Sequence, residues 1–415
     1  MNKKAGLPAV FLVVLVDLIG FGIVLPLLPF YASQFNASPL MIGLLYSVYS
    51  FSQLLFSPIW GAWSDKIGRR PVMLLSTFGS TLSYILFAFS HTLPILFLSR
   101  MLAGVMGGNI AAAQAYVADV TTPENRAKGM GMIGAAFGIG FALGPAISSF
   151  LLLPATQERL QAIMPANIQQ YLSENPFSVA GLVAAVMSLS SFLLVAFFLP
   201  ESVSMMNPGD ASRVKKNWVF SKGFWQSIFS KNDRTIPLLY LSMLLISIGH
   251  SSLYSSFPLF CKKVLEFKPN QVGIQFLIMG VIAIFVQGGF IRPLVKIFKE
   301  RSLFVTGNIL MTTGIFLIPF AHSVLSLSIF LSVLAIGASL NGPTLSSLVS
   351  KKAGLDETGL AMGNLQGMAA LGRVIGPSWG GWLFGLNSRA PFFATSFLVS
   401  LTILIYFTQK TTEIS

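Results

Sequence analysis

Charge, sulfur and imidazole are all scarce in this sequence. Of 415 residues only 10% are charged, against about 25% in an ordinary soluble domain, so a water-soluble globule is excluded. A single cysteine, Cys261, rules out a disulfide framework within the chain and any Cys-rich metal site. The three histidines lie too far apart in sequence to suggest a cluster. Neither Gly-x-x-x-x-Gly-Lys-Ser/Thr nor His-Glu-x-x-His occurs, which removes a P-loop ATPase and a zinc protease of that type. Gly129-Met-Gly131-Met-Ile-Gly134 does satisfy Gly-x-Gly-x-x-Gly, but no strand precedes it and it opens an apolar stretch, so nucleotide binding is not expected. No set of nucleophile, base and orienting group supports an enzyme. No cofactor, metal or catalytic residue is expected, and energy for uphill work must come from a gradient.

What the chain has in quantity is apolar sequence, at 54% hydrophobic residues. Runs bounded by charge, proline or polar clusters fall at about 7–32, 41–63, 71–90, 93–116, 128–153, 177–199, 235–260, 271–291, 303–322, 325–349, 358–386 and 390–408. Each is long enough for the roughly 20 residues that a membrane helix needs. The opening Met1-Asn2-Lys3-Lys4 and its apolar run look at first like a secretory signal. The run continues to about Ala32, however, and carries Asp17, so it reads as the first span.

The net charge of +13 would suit nucleic acid, but its distribution argues for topology. With the N-terminus inside, 20 of the 27 Lys and Arg fall in cytoplasmic tails and loops. Arg159, Lys262, Lys263, Lys268 and Arg389 fall outside, and Arg100 and Arg373 lie within spans. This is the positive-inside pattern of a multi-pass membrane protein with both termini cytoplasmic. In a bacterium it would sit in the inner membrane, as a monomer and with no nucleic-acid partner. The longest polar stretch, 200–234, carries six basic residues and separates six spans from six. The expected domains are therefore 1–199, a cytoplasmic linker 200–234, and 235–415.

The halves resemble each other. Pro39 and Gly43 recur as Pro269 and Gly273; Gly131, Gly140, Gly144 and Pro145 recur as Gly363, Gly372, Gly376 and Pro377 at nearly the same offset. Six matches at corresponding places favour a duplicated six-helix unit, and transporters built this way place substrate at the repeat interface. The expected fold is an all-α membrane protein of twelve helices in two pseudo-symmetric bundles.

Four local patterns carry chemistry. After span 2 comes Gly61-Ala-Trp-Ser-Asp65-Lys-Ile-Gly68-Arg69-Arg70-Pro71. Here Gly61 allows close helix approach, Gly68 a tight turn, and Asp65 can face the positive end of a helix while the arginines find carboxylates or lipid phosphates. Span 4 holds Arg100-Met-Leu-Ala-Gly104-Val-Met-Gly107-Gly108 and ends at Asp119; span 5 ends Gly140-Phe-Ala-Leu-Gly144-Pro145; span 1 reads Asp17-Leu-Ile-Gly20-Phe-Gly22-Ile-Val-Leu-Pro26. In this order they resemble the signature motifs of the major facilitator superfamily, in particular its drug:proton antiporter branch of tetracycline and multidrug exporters. The likeness weakens after Phe290, where the second copy of the loop lacks its glycines and aspartate. Spans 3 and 9 also lack the embedded acids of tetracycline exporters.

Asp17 is the only carboxylate placed inside a span, about 15 Å along its helix at 1.5 Å per residue. Burial raises a carboxyl pKa and a nearby cation lowers it, so Asp17 and Arg100 could bind and release a proton; a fixed structural pair is the alternative. Tyr46 and Gln53 in span 2, Asn109 in span 4, His250 and Tyr254 in span 7, and Gln366 and Arg373 in span 11 are candidate substrate contacts, or else interhelical hydrogen bonds. The resemblance implies a cytoplasmic gate of Gly61, Asp65, Gly68, Arg69, Arg70 and Asp119 that bridges helices 2, 4 and 11, and an antiporter motif of Gly140, Gly144 and Pro145 that limits leakage. The function expected is proton-coupled export of a small amphipathic or lipophilic compound. Transport of an anionic metabolite, siderophore or lipid, and a receptor that moves nothing, are the alternatives.

Overall fold

The computed structural model describes residues 6–162, 166–202, 222–229, 235–353 and 358–412. Most of the expected linker therefore lies outside the described residues. With no water in the bilayer to satisfy N–H and C=O groups, an apolar chain must bond its backbone internally. Among the described residues there are helices and no strands.

Twelve helices stand where twelve spans were expected. They are α1 Gly6–Val24, α2 Pro39–Ile67, α3 Arg69–Ala88, α4 Leu93–Val120, α5 Pro123–Leu151, α6 Phe177–Phe198, α7 Thr235–Lys263, α8 from Pro269 to Ile297, α9 Glu300–Leu317, α10 Val324–Ala353, α11 Thr358–Leu386 and α12 Ala390–Thr412. The first ten are long and apolar enough to cross a membrane by length and composition alone. α11 has 29 residues, and in α12 the apolar part is Ala390–Ile405.

Three spans are interrupted. The first apolar run was expected as one helix to residue 32, but α1 stops at Val24 and a short helix, Leu28–Gln34, follows. Pro26 supplies no N–H and its ring excludes a regular turn, which accounts for the break. α8 contains a π-helical turn at Val286–Phe290, on the pair Gly288-Gly289. α4 is broken at Gly107-Gly108 into Leu93–Met106 and Asn109–Val120.

The chain forms two compact units. The first comprises Met1–Ala37, Val48–Lys216 and Phe267–Gly280, the second Ser38–Ser47, Asn217–Glu266 and Val281–Ser415, so far as these are described. The core of the first is built from Val10, Val13 and Val14 of α1, Met73 of α3, Ala113 and Tyr116 of α4, Ala136 of α5 and Val195 of α6. In the second, Phe260 of α7 meets Phe392 of α12 edge-on, ring centroids 5.1 Å apart.

Within each unit the same glycines close the same helix pair. In the first, a Cβ on Gly140 would lie 2.5 Å from Leu18 Cβ, and one on Gly144 2.5 Å from Gly22 Cα, so α5 and α1 touch backbone to backbone. In the second, Gly372, Gly376 and Gly380 of α11 lie as close to Ser247, Ser251 and Ser252 of α7. The short segments that each unit takes from the other half of the sequence follow suit. Gly43 of α2 rests on Pro377 and Ser378 in the second unit, and its repeat mate Gly273 of α8 rests on Pro145 and Ser149 in the first. The repeat seen in the sequence is thus a repeat of contacts, made where small residues let helices approach.

Candidate functional site

Three groups of candidate residues come together, two in the first unit and one in the second. Inside the first unit, Asp17 of α1 is half-buried and Arg100 of α4 is only 3% exposed. The charges of both act on the Tyr84 hydroxyl of α3, which lies against Gly20 of α1, where a Cβ would stand 3.3 Å from it. The Arg100 guanidinium carbon lies 4.7 Å from the Phe87 ring centroid and 5.9 Å from that of Tyr84, and its Nε donates to Ser99 Oγ at 3.4 Å. Aromatic faces stabilise a desolvated guanidinium. The arrangement joins one acid, one base and a phenol across three helices. Tyr84 did not figure among the sequence candidates, because a tyrosine in an apolar span also fits the interfacial belt.

Beside this cluster the break in α4 exposes backbone acceptors. The carbonyls of Val105, Met106 and Gly107 accept from Trp60 Nε1 (2.5 Å), Ser76 Oγ and Gln53 Nε2 (3.2 Å) respectively. Gln53 thus holds α2 to the broken turn of α4. Gly108 has no room for a side chain, since a Cβ there would be 2.5 Å from Trp60 Cγ. Asn109 opens the second segment of α4, and its side chain lies outside the described residues.

At the inner end of the first unit the expected loop after span 2 shrinks to one residue. α2 runs through Gly61 and Asp65 to Ile67, Gly68 alone turns the chain at φ +104°, and α3 begins at Arg69. That φ is one that residues with a side chain rarely adopt. The tight turn points Arg69 back at α2: its guanidinium bonds Asp65 Oδ1 at 2.5 Å, Ser64 Oγ at 2.7 Å, and Asp119 Oδ2 at the end of α4 at 3.0 Å. The network also includes Glu201, a residue that sequence reasoning passed over as part of the linker. Its carboxylate accepts from the N–H groups of Arg69 (2.9 Å) and Arg70 (3.0 Å), capping α3 from the end of α6. Arg70 Nη2 reaches the Ala196 carbonyl of α6 at 2.6 Å, and Ser202 Oγ donates to Asp119 at 2.9 Å.

The second unit carries a pair at the corresponding repeat positions, with the polarity reversed. Glu300 opens α9 as Arg69 opens α3, and Lys351 lies near the end of α10 as Asp119 does in α4; Lys351 and Glu300 form an ion pair. The loop that lost its glycines and aspartate in the sequence has kept a charge link between the same two helices.

The third group is in the second unit. His250 and Tyr254 are one turn apart on α7 with ring centroids 5.7 Å apart, and Tyr46 lies 6.2 Å from Tyr254. The charge of Arg373 on α11 acts on both His250 and Tyr254. Gln366 and Arg373 are exposed on one side of α11. Among the described residues no group of His, Cys, Asp or Glu is arranged to hold a metal.

Twelve helices in two repeated units, ten of them long and apolar enough to cross a membrane, with ionisable groups placed inside the spans, define a multi-pass integral membrane protein. The family model of the Major Facilitator Superfamily matches residues 10–363 and 289–415, and the chain belongs to that superfamily. It is 30% identical to the class E tetracycline resistance protein of Escherichia coli over 98% of this chain and 96% of that one. To multidrug resistance protein 1 of Bacillus subtilis it is 27% identical, covering 94% and 93%. The crystal structure of the human organic anion transporter MFSD10 matches with a TM-score of 0.67 and 26% identity, covering 98% of this chain and all of that one. A bacterial homologue of the human lysosomal transporter Spinster shares the fold, with a TM-score of 0.80 at 14% identity over 99% of this chain and 97% of that one. The protein is a secondary transporter of small molecules.

Proposed function

We propose that the protein exports small amphipathic or lipophilic compounds in exchange for protons, with Asp17 as the proton carrier. The observation that carries this reading is the Asp17–Tyr84–Arg100 cluster. A half-buried acid shares its surroundings with a buried cation, so a change in hydration or in the Arg100 position moves its proton affinity. The resistance proteins to which the chain is similar favour export over uptake.

In this reading Gln53 and Asn109 of the first unit and Tyr46, His250, Tyr254, Gln366 and Arg373 of the second contact substrate. Asp65, Arg69 and Asp119, with Gly61, Gly68 and Arg70 shaping the turn, act as a cytoplasmic gate. Gly140, Gly144 and Pro145 keep α5 on α1 and limit leakage. The moving bodies are the sequence halves 1–199 and 235–415 joined by 200–234. The protein works as a monomer with both termini in the cytoplasm, in the inner membrane if the source is bacterial.

The test is dye efflux from proteoliposomes under an imposed pH gradient. Wild-type efflux accelerates with the gradient, and Asp17→Asn, folded by size-exclusion, loses that response. A variant that still follows the gradient refutes the assignment of Asp17.

A further inference from the structure

Three turns at one end of the second unit enclose a cavity that the proposed exchange of substrate and protons does not use. α7 ends at Lys263, α9 passes through the short turn Ile318–Phe320 to the start of α10 at Val324, and α11 joins α12 through residues 387–389. The cavity has a volume of about 270 Å³ and is lined by Glu266 from the first turn, His322 from the second and Arg389 from the third, with Val264, Leu265 and Pro319 among its apolar walls. It lies at the end of the unit away from the Glu300–Lys351 pair. Pockets for drug-sized ligands run from about 300 to 1,000 Å³, so this one suits a more compact polar group.

Each ionisable residue is set by its own turn. Glu266 has a φ of +54°, a conformation uncommon for a residue with a side chain. The N–H groups of His322 and Ser323 donate to Ser326 Oγ at 3.2 and 3.1 Å, and the Ser326 N–H donates to Ser323 Oγ at 3.1 Å, a reciprocal cap at the start of α10. The Arg389 N–H donates to Asn387 Oδ1 at 2.8 Å. The backbone at the second and third positions is thus tied down. Among the described residues, no hydrogen bond or ion pair engages the side chains of Glu266, His322 or Arg389. An acid, an imidazole and a guanidinium therefore line one space without neutralising each other, and all three residues are exposed.

Apolar surface adjoins them. Phe320 stands in the chain between Pro319 and Ala321 of the cavity wall, and it packs with Phe316 and Phe393 at ring-centroid distances of 5.7 and 6.0 Å. These three rings are 46%, 46% and 37% exposed, and Leu325 and Leu386 at the same end are 71% and 67% exposed. Contiguous exposed apolar groups at the ends of spans belong against hydrocarbon, and the turn just beyond them belongs at headgroup depth. A guanidinium fork and an imidazole N–H suit phosphate oxygens. The carboxylate suits an ammonium with N–H groups to donate.

We propose that this cavity binds a phospholipid whose headgroup carries a primary ammonium beside its phosphate. Arg389 and His322 hold the phosphate, Glu266 accepts from the ammonium, and the acyl chains run along Phe316, Phe320 and Phe393. A headgroup without an ammonium leaves Glu266 beside a phosphate with nothing to accept from, and a trimethylated one has no N–H to offer. The site uses none of the residues assigned to proton binding, substrate contact or gating.

Native mass spectrometry of the purified full chain in detergent tests the proposal, with dioleoyl phosphatidylethanolamine, phosphatidylglycerol or phosphatidylcholine added at equal concentration. Wild type should retain the ethanolamine lipid about fivefold over each of the others, the order expected of one charge-assisted contact near a surface. Glu266→Gln should retain the ethanolamine and glycerol lipids equally, and Arg389→Gln should retain less of both. If either variant does not fold, His322→Gln should still lower retention of the ethanolamine lipid severalfold. Equal retention of the three lipids by wild type, or a preference unchanged in the variants, overturns the site. A wild type that binds free phosphoethanolamine but prefers none of the lipids overturns the lipid assignment in favour of a soluble zwitterion. None of these readings needs a pH gradient, so the proposal stands or falls apart from that for Asp17.

Discussion

At the residue scale, one carboxylate organises the inner end of the first unit. α3 begins Arg69-Arg70-Pro71 after a glycine, with no side-chain cap of its own, so its first N–H groups need an acceptor from elsewhere. Glu201 supplies both oxygens, and its negative charge also suits the positive end of the helix. Glu201→Gln keeps one acceptor and loses the charge. It should lower stability by about 1–2 kcal/mol, read as a fall in thermal unfolding temperature in detergent, whereas an unchanged unfolding temperature would show that the cap contributes nothing. The motif residues Asp65, Arg69 and Asp119 could be read in the sequence because their spacing is local or patterned. Glu201 could not, because its partners lie more than a hundred residues away and the chain there reads as a polar linker. The uncapped Arg-Arg-Pro start was the available hint. Tyr84 escaped notice for the opposite reason: nothing local distinguishes a tyrosine beside a buried acid from one at the membrane interface.

At the scale of elements, glycine decides which helices meet. The pairing of α5 with α1 is set by Gly140, Gly144 and Gly22, and the pairing of α11 with α7 by Gly372, Gly376 and Gly380. Valine at position 144 would force α1 and α5 apart. Gly144→Val should cost about 1–3 kcal/mol as overpacking, visible as a lower unfolding temperature together with proton leak through proteoliposomes that hold no substrate. Normal stability with tight liposomes would contradict the close contact. These glycines were legible because they recur at one offset and lie in apolar runs. The breaks were less so. Pro26 could have flagged the end of α1, but the interruption of α4 depends on Trp60, Ser76 and Gln53 accepting the role of hydrogen-bond partners for Val105, Met106 and Gly107, and those donors come from two other helices.

The reversed ion pair belongs to the same scale. Arg69 at the start of α3 and Asp119 at the end of α4 each sit at the helix terminus whose partial charge matches their own. Glu300 at the start of α9 and Lys351 near the end of α10 sit at the complementary termini. Each such placement is worth about 0.3–1 kcal/mol near a surface. The first unit therefore holds its charge link against the helix dipoles, with help from Ser64, Glu201 and Ser202, whereas the second holds its link with them. Sequence comparison of the halves registered only the missing glycines and aspartate, because a pair that exchanges the sign of both charges leaves no shared letters.

For the whole molecule, composition and hydropathy already fixed a twelve-helix membrane protein, and the offset between the halves fixed its duplication, since both depend on patterns that a bilayer imposes on any sequence. The division of charge between the units was harder to read. The first unit holds an acid and a cation inside its spans, Asp17 and Arg100, whose charges both act on Tyr84; in the second, the charge of Arg373 acts on an imidazole and a phenol, with a further phenol beside the latter. Under the proposed function, that asymmetry would give each unit a different task, proton binding in one and substrate recognition in the other. The central claim is that the two tasks are linked through Asp17. Substrate-evoked proton release from purified protein in weakly buffered detergent solution tests it most directly. Addition of a transported compound to wild type should acidify the medium in proportion to the sites filled, and Asp17→Asn should bind the compound with no change in pH. Release of protons by Asp17→Asn equal to that of wild type would contradict the account.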